Sequence, residues 1–157
     1  MPRQLAQSRP EEIENERGIT EIDSVAKVTQ VSVPLTGKAE ELTELLRKLE
    51  AARQRVSLVK IHSGALNFVV EGDLDAARAQ RILGRPVKVR SNCATVNLRS
   101  PAMRMLHGIM ANAVRTLYAK NIAVHATSDA YDRLSLVIDG KHLKSATTML
   151  KRQFDLD

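Results

Sequence analysis

The sequence predicts an α+β protein made of two tandem ferredoxin-like βαββαβ units, with antiparallel sheets and helices on one face. Three observations predict it. Along the 157 residues the apolar pattern switches back and forth between strand-like and helix-like periods. The segments read β-α-β-β-α-β and then begin the same series again. Matching positions in the two series recur at one spacing.

Residues 1–16 are polar, with Pro2, Pro10 and four glutamates, and read as a flexible tail. AKVTQVSV (26–33) is β-branched and reads as a strand. Over 38–53, Leu42, Leu45, Leu46 and Leu49 give one apolar helical face. RVSLVKIH (55–62) is a strand, Ser63-Gly64 a turn, and ALNFVVE (65–71) alternates through Leu66, Phe68 and Val70. A short helix carrying Leu74, Ala77, Ile82 and Leu83 ends at Gly84-Arg85-Pro86, and PVKVR (86–90) is the next strand.

The second series opens with CATVNLR (93–99). A helix follows Gly108, with Ile109, Met110, Ala113, Val114 and Leu117 inward. NIAVHATS (121–128) and DRLSLVID (132–139) are strands, and the last helix carries Leu143, Ala146, Met149 and Leu150, with Phe154 beyond. Ala26-Lys27-Val28 and Ala94-Thr95-Val96 lie 68 residues apart, as do Glu71-Gly72 and Asp139-Gly140, and Ile82 and Leu150. Gly37 and Gly108 are three further apart, so the second series has the longer loop there. The expected division is a first module over 25–91 and a second over 92–157. The second series lacks a fourth strand, which would leave a sheet edge unpaired. Gly18–Ile22, within the segment 17–24, is the candidate to supply it, making the first module an insertion within the second.

Composition narrows the function. Aromatic residues are 3% and Trp is absent, so the core is aliphatic. No apolar run approaches the roughly 20 residues that span a bilayer, and the N-terminus has no signal-like apolar stretch. A lone Cys93 excludes an internal disulfide framework and fits a reducing cytoplasm. The net charge of +6 raises nucleic-acid binding, but the basic residues are scattered. The third strands of the two units offer one Phe and no aromatic, so a base-stacking platform is disfavoured. His62, His107, His125 and His142 have no metal-ligand spacing, and Cys93 has no partner base. Neither a metal nor another cofactor is expected, and no nucleophile–base or carboxylate pair suggests an enzyme.

Four strings, in order, resemble one family. GITEIDSVAKVT (18–29), MRMLHGIMANAVRTL (103–117), NIAVHATSDAYDRLSLVID (121–139) and SATTMLKRQFDL (145–156) are similar to successive parts of the tandem ACT-domain regulatory region of aspartate kinases. In that family the second module is interrupted by the first. The resemblance implies a non-catalytic regulatory chain without a kinase domain. It would bind an amino-acid effector of the lysine or threonine type and control an aspartate-kinase-like enzyme, with a separate kinase subunit among the partners it implies. It also implies a homodimer. Pro34-Leu35-Thr36-Gly37 stands where the family has D-x-P-G, and His107 replaces the proline before the second-loop glycine.

Effector sites in such modules have a physical basis: a loop enters a helix whose first N–H groups attract a carboxylate. The candidates are Pro34, Thr36, Gly37, Lys38 and Ala39 in the first unit, with Ser57 and Val59 on its second strand. In the second unit they are Leu106, His107, Gly108 and Ile109, with Ala123, His125 and Ser128. Gly37 and Gly108 could equally be simple turn residues. Two alternatives to effector control remain: an effector-less dimerisation or assembly module, and a basic nucleic-acid-binding protein of the same fold.

Overall fold

A computed structural model describes residues 18–156; the tail expected over 1–16 lies outside them, as do Arg17 and Asp157. The elements are β1 (Glu21–Pro34), α1 (Glu41–Ala51), β2 (Val56–His62), β3 (Ala65–Glu71), α2 (Ala76–Leu83), β4 (Lys88–Arg99), α3 (Ile109–Tyr118), β5 (Val124–Ala130), β6 (Arg133–Asp139) and α4 (Leu143–Gln153). Single 3₁₀ turns lie at Met103–Met105 and Gly140–His142. The six strands form one sheet in the order β2-β3-β1-β4-β6-β5, with every pairing antiparallel.

Two of the expected strand pairs are fused. Residues 26–33 join the preceding segment as one 14-residue strand, β1, and 86–90 join 93–99 as the 12-residue β4. No turn sequence separates the pieces. A bulge marks each junction instead, with Lys27 (φ 55°) and Asn92 (φ 55°) in the left-handed region. The N-terminal part of β1 runs along the C-terminal part of β4, with Ile22 opposite Leu98 and Val25 opposite Thr95. Val28 opposes Cys93 between the two bulges, and beyond them Val31 opposes Val89. Val28–Pro34 then continues along β3.

The helices make two cores on one face. Leu45 and Leu49 of α1 and Ala79 and Leu83 of α2 cover Val31, Val33, Leu66, Phe68 and Val70. Ala113 and Leu117 of α3 and Ala146 and Leu150 of α4 cover Val96, Leu98, Leu134, Leu136 and Ile138, and Ile19 and Ile22 join this second core. On the opposite face Val28, Val69, Cys93 and Val137 form a third cluster, flanked by Val25, Leu58 and Ala126. All six strands contribute to it, because the sheet bends until its two edge strands, β2 and β5, approach one another.

The pairings revise the repeat. Val28 opposes Glu71 and Cys93 opposes Asp139, so the first strands of the two halves correspond at a spacing of 65 rather than 68. The spacing of 68 holds from α1/α3 through β3/β6. It becomes 67 in the last helices, where the buried residues are Ala79 and Leu83 against Ala146 and Leu150. Ile82 is only partly buried and Ala77 exposed. Asp75 caps α2 by accepting from the Arg78 N–H at 2.7 Å, and this start sets the helical phase. The alternating Ala-x-Val strings fit a strand in several registers; cross-strand hydrogen bonding selects one.

Each bulge is closed by a glycine at the end of a neighbouring strand. The Gly72 N–H donates to the Lys27 carbonyl at 2.7 Å. At Gly140 a Cβ would stand 2.9 Å from the Asn92 carbonyl oxygen. Gly140→Ala is therefore expected to destabilise the protein by about 1–3 kcal/mol through overpacking against backbone. Gly64→Ala, where nothing lies within 4 Å of the added carbon, serves as the control. Urea unfolding of the two variants measures the difference.

Candidate functional site

The two loops that enter the first helix of each half differ in length and in chemistry. The first spans six residues, 35–40, between β1 and α1; the second spans nine, 100–108, between β4 and α3.

Glu41, the first residue of α1, turns its side chain back into its own loop and leaves it 5% exposed. One carboxylate oxygen accepts from the Thr36 N–H at 3.0 Å; the other accepts from the same N–H at 2.9 Å, the Thr36 hydroxyl at 3.1 Å and the Gly37 N–H at 3.2 Å. Arg85, just after α2, completes the shell with an ion pair to Glu41 and donates to the Pro34 carbonyl at 3.1 Å. The Arg85 hydrogen bond, helped by the Thr36 N–H, holds the Glu41 carboxyl down at about 2. An open cavity of about 580 Å³ lies against this cluster, lined by Thr36, Lys38, Ala39, Glu44 and Arg85.

The second loop has no such acid. Ile109 occupies the first helical position, and Gly108 (φ 74°) is the N-cap, with no side-chain hydrogen bond capping the helix among the described residues. Its first amides therefore have no helical acceptor. They border a recess of about 610 Å³ lined by Met103, Leu106, Ile109, Met110, Val114 and Leu134, with Asp129 as its acid. The left-handed Gly108 makes the turn from extended loop into helix, which a β-carbon would strain. Beside it, Arg104 stacks over the Tyr131 ring at 4.3 Å and donates to its hydroxyl at 3.0 Å.

The other sequence-predicted residues are distributed unevenly. Pro34 ends β1 opposite Ala65, and the Leu35 N–H donates to the Gly64 carbonyl at 2.9 Å, so the first loop lies at the β2–β3 turn. Ser57 pairs with Val69, at the far end of β3 from this turn. Val59 is exposed within a bulge of the edge strand. His107 is exposed beside Gly108, and Ser128 pairs with Ser135 next to Asp129. Ala123 and His125 lie at the opposite end of β5 from Asp129. His125 contacts Asp139 at 3.0 Å, and this hydrogen bond lowers the Asp139 pKa. Asp129 belongs to the stretch Ala126-Thr127-Ser128-Asp129, which by resemblance stands at effector-recognition positions, whereas nothing in the sequence singled out Glu41, Arg85, Met103 or Leu134 as site residues. An acid in a first helical turn is a recognisable anchor for a preceding loop, but Arg85 reaches Glu41 from 44 positions away.

A polar network lies on the helix-free face. Asp23 accepts from Asn97 at 2.7 Å and pairs with Arg99, and the Ser135 hydroxyl donates to Asn97 at 2.6 Å. Burial raises the Asp23 pKa, but the hydrogen bonds from Arg99 and Asn97 outweigh it and the net shift is downward. Burial pushes the Cys93 thiol up. Among the described residues no group of three or more His, Cys, Asp or Glu could hold a metal ion, and no helix is long and apolar enough to cross a membrane.

Residues 88–152 match the family model of the ACT domain. No curated protein matches the chain by sequence. Among solved structures, the chain is similar to aspartokinase alpha and beta subunits, with 21% identity and a TM-score of 0.77 over 88% of this chain and 99% of that one. The regulatory subunit of aspartate kinase from Thermus thermophilus, in its ligand-free form, gives 13% identity and a TM-score of 0.75 over 87% and 99%. E. coli aspartokinase III in complex with lysine and aspartate gives 12% and 0.71, over 90% of this chain but 34% of that one. The chain thus has an ACT-like fold, the fold of aspartate-kinase regulatory subunits.

The paired carboxylates make stability pH-dependent. Glu41, Asp23 and Asp139 all titrate below their ordinary values in the folded chain. Their contribution is present above the unfolded values and is lost as pH falls through the folded ones. For Glu41 that window runs from 4.5 down to about 2. Thermal unfolding across this range should show Tm falling with acid. Glu41→Gln should melt below wild type at neutral pH, with the gap closing toward pH 2.

Proposed function

With an ACT-like fold as the premise, we propose that this chain is a non-catalytic regulatory protein that binds an amino-acid effector of the lysine or threonine type and allosterically controls an aspartate-kinase-like enzyme. The observation that carries the reading is the second loop. It puts uncapped helix amides, an apolar recess and one acid side by side. An amino acid needs those three features: donors for its carboxylate, an acceptor for its ammonium group and a surface for its side chain. In this reading Gly108, Ile109 and the neighbouring His107 form the carboxylate end, and Asp129, beside Ser128, takes the ammonium group.

The same reading divides the chain into two modules, 25–91 and 92–157, with 17–24 completing the second. It makes the protein a cytoplasmic homodimer that partners a separate kinase subunit. The chain's fold likeness to aspartokinase alpha and beta subunits and to an aspartokinase holding lysine and aspartate supports this. Effector binding closer to one conformational state would shift the population of states in the assembly. A second reading, an assembly module without effector, is favoured by the first loop, whose amides are already taken by Glu41.

A thermal-shift series against the individual amino acids tests the proposal. A ligand selective for the folded state raises Tm, by about 2.7 kcal/mol of stabilisation at a hundredfold excess over Kd. Lysine or threonine should give the selective shift, and Asp129→Asn should abolish it while leaving the ligand-free Tm near wild type. No shift with any amino acid would overturn effector binding and leave the assembly reading.

A further inference from the structure

We propose that Glu41 is a built-in ligand: its carboxylate occupies the anion cradle of the first loop and closes that half of the protein to carboxylate effectors, confining effector binding to the second half. The assignment rests on reading the two loops as corresponding effector loops. It goes beyond that reading by making the halves functionally unequal.

Four features of the geometry support it. The donors that a helix-entry loop would offer to a ligand's carboxylate, the Thr36 and Gly37 N–H groups, both point to Glu41, within 3.2 Å. The Thr36 hydroxyl points there as well. A guanidinium, the usual partner for a bound carboxylate, comes from Arg85, 44 residues later in the chain, and pairs with the same group. With Glu41 almost fully buried, an external carboxylate could enter only by expelling it, at the loss of the hydrogen bonds and ion pair that Glu41 already makes. At the equivalent position the second half has Ile109, which cannot fill its own loop.

An ordinary helix-capping role would require less. A capping acid needs only one or two amides of its own helix start. Here Glu41 reaches back out of the helix to amides four and five residues earlier and is clamped by a cation 44 residues later. The cavity beside it has Lys38 and Arg85 in its wall together with Glu40 and Glu44, and removal of the Glu41 side chain opens it onto the two amides.

The test is an acetate titration followed at the backbone amide resonances of Thr36 and Gly37, at constant ionic strength with chloride as control. Glu41→Ala uncovers the two amides, the Thr36 hydroxyl and Arg85. Acetate should then bind there saturably, shifting both amide resonances. Wild type should show no saturable acetate shift at either amide. Two results overturn the proposal: saturable acetate binding at these amides in wild type, or a folded Glu41→Ala protein that gains none. The wild-type arm decides even where Glu41→Ala does not fold, and Glu41→Gln, which keeps the side-chain volume, gives a further folded form in which the two amides should lose their acid titration. An amino-acid response mapped to the second loop without acetate rescue would sink this inference alone. Acetate rescue without any amino-acid response would sink only the effector function.

Discussion

The pairing of β1 with β4 is the constraint on which the rest of the molecule depends. Each strand is long enough to serve both halves, and each carries one residue too many for an unbroken ladder. The extra residues, near Lys27 and Asn92, are absorbed as bulges in left-handed conformation. Because one bulge lies on each strand, the alternation of faces is restored on both sides, and both helix pairs cover the same face of the sheet. The bulges also bend the sheet, so that Val28 and Cys93, directly opposed, become the centre of the third cluster. The two helix-covered cores draw on different stretches of these same two strands, Ile22 with Ala94, Val96 and Leu98 in one, and Val31 and Val33 with Val89 in the other.

This shared frame explains how similar halves can carry unlike loops. The sheet registers place the end of β1 and the end of β4 in corresponding positions, Pro34 and Arg99, each leading to a helix. From there the first loop takes six residues and the second nine. The short loop is drawn tight around a carboxylate from its own helix. The longer one makes a 3₁₀ turn and keeps apolar side chains, Met103 and Leu106, against the second core. One loop has its Thr36 and Gly37 amides taken by Glu41 with Arg85 behind it, whereas the other has helix amides bordering an open recess. The difference follows from three added residues and the exchange of Glu41 for Ile109, and requires no change in the architecture beneath.

What a sequence encodes locally was legible in it. The order of strands and helices, the face of α1 defined by Leu45 and Leu49, the glycines at Gly84 and Gly108 and the doubling of the whole pattern all follow from periodicities within a few residues. The two helix-entry loops were legible as turns, because a glycine at a helix entry has a conformational reason to be there. What was not legible is what requires partners distant in sequence. The continuity of β1 and β4, the spacing of 65 in place of 68 and the meeting of Glu41 with Arg85 each depend on which residues face each other across the sheet or between helices.

By itself, then, the sequence determined that this chain is an aliphatic-cored, basic α+β protein of repeated βαββαβ character, because strand and helix periods and turn residues act over short range. Only the tertiary structure decided that two pairs of strands fuse into two, that every strand reaches one common cluster, and that a glutamate fills the first loop. These outcomes turn on cross-strand hydrogen bonds and on the desolvation of a carboxylate beside a guanidinium. Both are interactions between segments tens of residues apart, and their energies are settled only when the chain has closed on itself.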